Sequence, residues 1–115
     1  MVTYVRGTLC LAGLLAVAAL VPGTAAAATC SPPSYPGSGY FMSLKTKNVG
    51  CKTGKKVLRA HYNCRIENGK KGKCKRRVLG YRCSEKRMSI STEFDSRVTC
   101  KKGSKRVVYT YQQNT

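Results

Sequence analysis

Six cysteines spread through a short, strongly basic stretch constrain this chain more than any other feature. The sequence holds seven: Cys10 falls in an apolar leader, and Cys30, Cys51, Cys64, Cys74, Cys83 and Cys100 follow it. An even set in a short exported chain is expected to close as three disulfides, because an oxidising compartment lets the bridges persist. Residues 29–115 carry 21 Lys and Arg against 4 Asp and Glu, so the folding part repels itself while its small size limits the core. A native bridge typically contributes about 2–4 kcal/mol, a large share of such a domain's net stability. Cys64 with Cys74 is the one pairing assigned, because it closes a short basic loop; the others stay open.

Residues 1–28 read as a secretory signal peptide. Arg6 and the amino terminus form the positive region, residues 9–21 form an uncharged run of 13, and Pro22-Gly23 interrupts it. Ala26 and Ala28 put small side chains at −3 and −1 for cleavage after Ala28. Thirteen helical residues rise about 20 Å, short of the ~30 Å hydrocarbon core, so a cleaved leader is expected rather than an anchor. The mature chain then has no transmembrane span and is secreted or held at the cell envelope. Its length fits one domain.

Residues 29–39 form a Pro/Gly/Ser-rich linker, and residues 40–115 one cationic domain. Residues 40–47 read as a strand, with Tyr40, Met42 and Leu44 on one face and Phe41 on the other. Residues 51–64 read as an amphipathic helix. Val57, Leu58, His61 and Cys64 gather on one side, and Lys52, Lys55, Lys56 and Arg59 on the other. Gly54 weakens that helix by roughly 1 kcal/mol relative to Ala. Residues 66–75 form a basic loop around the turn dipeptide Asn68-Gly69. Residues 78–83 are a second strand. Residues 84–96 are mixed polar, with a short extended piece carrying Met88, Ile90 and Phe94. Residues 97–100 and 106–111 flank a Gly-containing loop as a hairpin, with Val107, Tyr109 and Tyr111 on one face. The order β-α-β-β-β predicts a small disulfide-stapled α+β domain, one helix packed on an antiparallel sheet.

Three pieces carry a resemblance: Val49-Gly50-Cys51 opening the helix; Gly80-Tyr81-Arg82-Cys83-Ser84; and Arg97-Val98-Thr99-Cys100-Lys101-Lys102-Gly103 followed by Val107-Val108-Tyr109. Over residues 40–112 the chain resembles small secreted, cysteine-containing, uncharacterised proteins of actinobacterial type. The resemblance implies an α+β fold and export, and it carries over no functional residue.

Catalytic and metal chemistry find little purchase. No CxxC pair occurs, and His61 with Cys64 has no second pair to complete a zinc site, so no metal or other cofactor is expected. No G-x-S-x-G elbow, GxGxxG or Walker loop is present. A basic secreted nuclease would use His61 with Glu67, Glu85 or Glu93 as acid and base. His61 sits on the apolar helix face, which favours a packed, hydrogen-bonded histidine instead. The chain is therefore read as a non-enzyme.

Charge remains. The whole sequence carries a formal net charge of +18, a field that attracts any polyanion. The contact candidates fall in three places: Lys52, Lys55, Lys56 and Arg59 on the helix; Lys70, Lys71, Lys73, Lys75, Arg76 and Arg77 in the loop; Lys101, Lys102, Lys105 and Arg106 at the hairpin. Tyr35, Tyr40, Tyr62, Tyr81, Tyr109 and Tyr111 are available to stack on bases or sugars. The expected role is non-catalytic binding of anionic cell-envelope polymers. The alternatives are a cationic antimicrobial protein acting through the helix, a small basic nuclease, and an inhibitor that presents residues 84–96.

Overall fold

The computed structural model describes residues 26–115. Six elements follow one another: β1 (Ala27–Cys30), β2 (Gly39–Lys47), α1 (Cys51–Ile66), β3 (Arg82–Ser89), β4 (Glu93–Lys102) and β5 (Lys105–Asn114). The strands form one antiparallel sheet in the order β1-β2-β5-β4-β3, and α1 lies against one face of it. This is the expected α+β arrangement with a further short strand at its edge.

Ala27 and Ala28, expected as the last residues of the leader, pair with Thr46 and Lys47 of β2. Thr29 and Cys30, expected to open the linker, complete β1, and residues 31–38 lie outside the strands. The rest of the leader, Cys10 included, lies outside the described residues.

The core forms where the inner sheet face meets α1. Leu44 of β2, Val98 and Cys100 of β4, and Val107, Tyr109 and Tyr111 of β5 are fully buried against Val57, Leu58 and Cys64 of the helix. The shared face of Val107, Tyr109 and Tyr111 is thus the middle of the core. β2 departs from the simple alternation. A bulge between Phe41 and Ser43 sets Met42 and Ser43 opposite Thr110, so Phe41 and Leu44 both point inward while Tyr40 and Met42 face solvent. Two apolar residues three apart cannot share one face of a regular strand, and the extra residue resolves the conflict.

The helix has little intrinsic support. Gly50 supplies no side-chain cap, no acidic residue stands in the first turn, and Lys52, Lys55 and Lys56 crowd the positive end of the dipole. Covalent bonds hold both ends instead. Cys51, its first residue, is bridged to Cys30 of β1, and Cys64 in its last turn is bridged to Cys74. The third bridge joins Cys83 to Cys100, directly opposed on β3 and β4. Gly54 has a positive reason to be there. A Cβ at this position would lie 2.6 Å from Cγ2 of Thr46, so its absence lets the helix sit down on β2.

Past the helix, residues 78–81 make a tight turn rather than the start of a strand. Val78 and Tyr81 exchange backbone hydrogen bonds of 3.0 and 2.8 Å, and Leu79 and Gly80 both take positive φ. The strand begins at Arg82. Residues 84–96, expected to be largely irregular, form most of the β3–β4 hairpin.

Candidate polyanion-binding face

The polar residues that raised acid–base chemistry meet inside the molecule. His61 is 2% exposed, its Nδ1 bonded to the Tyr109 hydroxyl. Burial pushes its pKa down to about 4, so the ring is neutral at pH 7. One turn on, fully buried Arg65 donates to Gln113 Oε1 and to the Tyr35 hydroxyl, each at 3.2 Å, and lies 4.1 Å from the centre of the Tyr111 ring. Glu85 accepts from Ser96 and Tyr111, both at 2.6 Å, and pairs with Arg87 at 2.7 Å. Burial alone would raise its carboxyl; these hydrogen bonds and the Arg87 charge outweigh burial and hold it below the usual range. Arg87 and Gln113 also reach the loop after the helix. Arg87 donates to the carbonyls of Lys71 and Gly72, and Gln113 Nε2 to that of Lys70. This cluster locks helix, loop and sheet together. Glu67 lies elsewhere, paired on the surface with Arg76 at 2.8 Å, and Glu93 accepts from Gln112. His61 and the three glutamates therefore do not converge on an open site. Among the described residues no group of three or more His, Cys, Asp and Glu is placed to hold a metal.

The tyrosines divide in the same way. Tyr81, Tyr109 and Tyr111 are core residues, and Tyr62 packs edge-on against both Tyr35 and Phe41. Of the six, Tyr40 alone is fully on the surface, 64% exposed.

The cations separate onto two sides. The helix residues Lys52, Lys56 and Arg59 are exposed and Lys55 half-exposed, all pointing away from the sheet. The loop residues Lys70, Lys71, Lys73, Lys75, Arg76 and Arg77 are exposed on that same side, because Arg87 and Gln113 hold the loop from the inner sheet face. Lys102 and Lys105, paired across the hairpin, also belong to the inner side, with Lys102 Nζ 5.7 Å from the centre of the Tyr81 ring. Lys101 and Arg106 alternate to the outer face.

That outer face, opposite α1, is where the register gathers charge. Lys47 pairs with Arg106, Arg106 with Lys101, and Lys101 with Arg82. Four cations from four strands thus stand side by side, about 4.8 Å apart from strand to strand. Arg97 and Lys86 pair four residues further along the same two strands, and Lys45 lies on the same face. Asp95 and Glu93, two residues apart on β4, are the carboxylates on this face, at the end away from the cation row. At the row's edge Lys47, Lys101, Lys105 and Arg106 rim an open hollow of about 340 Å³, closed on one side by a 2.9 Å hydrogen bond from Asn48 to the Ser104 carbonyl.

Only Lys101 and Arg106 of this row were singled out in the sequence. Lys45, Lys47, Arg82, Lys86 and Arg97 were missed, although a spacing of two or four within each strand was the signal that could have found them. Compared with protein-family models, curated proteins and solved structures, the chain matches none.

Proposed function

We propose that the protein is a non-catalytic, exported domain that binds anionic polymers of the cell envelope through the outer face of its sheet. The observation that carries this reading is the row Lys47, Arg106, Lys101, Arg82. Like charges directly opposed across strands are destabilising. Four in succession are a poor choice for folding and a good one for a ligand that supplies the missing negative charge. The disulfides are compatible with an extracellular location. Among the described residues no helix is long and apolar enough to cross a membrane. The antimicrobial reading through α1 loses support, because Val57, Leu58 and Cys64 are committed to the core.

Two variants of equal net charge test the proposal. One replaces Lys47, Arg82, Lys101 and Arg106 by Gln; the other replaces Lys52, Lys55, Lys56 and Arg59. Binding to poly(glycerol phosphate) is followed from low salt to about 0.5 M. Counterion release contributes about 0.7 to the log–log slope per contact on a single-stranded phosphate chain, so the sheet variant should lose roughly 3 units of slope and the helix variant little. Equal losses in both variants would mean that the charge acts generically and that this face is no site.

A further inference from the structure

The outer sheet face has a second end, and it is apolar. Tyr40 pairs with Gln112, Gln112 with Asp95 and Asp95 with Met88, so Tyr40 and Met88 occupy one row of that face. The β2 bulge adds Met42 beside them, and Ile90 follows Met88 into the β3–β4 turn. Met88 is 80% exposed, Ile90 62% and Met42 47%. Among the described residues, four of the six large exposed apolar side chains thus lie at this end of the sheet, with Gln112 and Asp95 between Tyr40 and Met88. Met42 and Met88 flank an open depression of about 470 Å³ whose lining also includes Asp95, with the cations Lys86 and Arg97 on either side of it in the strand register. The cation row stands at the far end of the same strands. Arg82 lies six residues from Met88, about 20 Å along β3.

We infer that this face docks on an anionic lipid surface, with Met42, Met88 and Ile90 reaching past the headgroups and Lys45, Lys86, Arg97 and the cation row lying against the phosphates. The inference rests on the polyanion reading and names the partner class of the same site. A soluble phosphate polymer leaves Met88 and Ile90 with nothing to enter, whereas a lipid leaflet offers charge and hydrocarbon in adjacent layers. Unbranched methionine side chains adapt readily to such a boundary. Apolar side chains beside a strongly cationic surface suit interfacial binding, whose affinity combines buried apolar area with attraction to anionic headgroups; on this face the seven cations Lys45, Lys47, Arg82, Lys86, Arg97, Lys101 and Arg106 outweigh the carboxylates Asp95 and Glu93.

The test is co-sedimentation of the full oxidised protein with phosphatidylcholine vesicles, with and without phosphatidylglycerol, at low salt and at about 0.5 M. The variant Met42→Ser/Met88→Ser/Ile90→Ser changes only exposed residues. Wild type should bind the anionic vesicles and keep part of that binding at high salt, since apolar insertion is not screened. The triple variant should bind them at least tenfold more weakly at high salt, with poly(glycerol phosphate) binding unchanged as proof that it is folded. If the triple variant binds vesicles as wild type does, or if wild-type vesicle binding vanishes with salt, the lipid inference is wrong and the polyanion reading stands. If wild type binds neither vesicles nor polymer, both fall.

Discussion

Acid should weaken this fold through one residue, and the size of the effect follows from where that residue sits. His61 is the only histidine, and burial lowers its pKa from 6.5 to about 4. The unfolded chain therefore takes up a proton near pH 6.5 that the folded chain refuses until about pH 4. The stability at stake is fully present above pH 6.5 and is lost progressively as pH falls toward the folded value. Each unit is worth about 1.36 kcal/mol, so the whole window amounts to about 3 kcal/mol and the fall by pH 4.5 to about 2.5 kcal/mol. Glu85, held low by its hydrogen bonds and by Arg87, begins to lose its contribution only as pH falls through the ordinary carboxylate value, at the lower end of this window, so the fall from pH 6.5 to 5.5 belongs to His61. Urea unfolding followed by circular dichroism at pH 7.5, 5.5 and 4.5 measures the effect. At about 1–2 kcal/mol per M, the midpoint should drop by between 1 and 3 M. His61→Gln removes the titration and should flatten the profile over that range, whatever its own stability. A wild-type profile already flat between pH 6.5 and 4.5, or a variant that keeps the fall, would refute the reasoning. So would an imidazole NMR titration in the native state with its midpoint near 6.5.

Two further outcomes follow from packing and from covalent structure. Gly54→Ala should cost about 1–3 kcal/mol by crowding Thr46, against the roughly 1 kcal/mol that its helix propensity offers, and Thr46→Ser in the same chain should recover most of the loss. Thermal or denaturant unfolding of the single and double variants reads this directly, and additive losses would show that the Thr46 methyl is not the cause. Removing the Cys64–Cys74 bridge as a Ser/Ser pair should cost about 2–3 kcal/mol from its short loop. It should also speed amide exchange in residues 66–75 before exchange in the sheet; uniform loss of protection would contradict the local role.

The legible parts of the fold are those whose signal is local. Val57, Leu58, His61 and Cys64 recur at helical spacing and turned out to be the buried side of α1. The alternation of Val107, Tyr109 and Tyr111 marked the inner face of β5, and Gly103 marked its turn. β3 stayed hidden because its inward residues are the bridged Cys83 and the ion pair Glu85–Arg87, so no apolar alternation announces it. β1 stayed hidden because alanines that pair with β2 look the same as alanines of a leader. The bulge at Met42 inverted the expected side of Leu44, since no single strand reveals an extra residue set by its neighbour. The outer cation row illustrates the same limit at the candidate site. Consecutive cations at 70–77 and 101–106 draw the eye, whereas Lys47, Arg106, Lys101 and Arg82 become neighbours only through three strand registers.

The three bridges join Cys30 to Cys51, Cys64 to Cys74 and Cys83 to Cys100, each cysteine to the next along the chain. Such a pattern has no interlocking loops and no bridge that must wait for another. Within residues 30–100 each bridge is completed by the next cysteine to appear, so an oxidant working in chain order over these six makes this set without reshuffling. The cysteine-free strand β5 arrives last and has the most to bury, sliding between β2 and β4 with Val107, Tyr109 and Tyr111. Each bridge needs only the neighbouring cysteine along the chain, whereas burial of Val107, Tyr109 and Tyr111 needs β2 and β4 both in place. Refolding from the reduced chain, where the thiols of Cys30, Cys51, Cys64, Cys74, Cys83 and Cys100 compete at once, should be slower and more error-prone than oxidation in chain order.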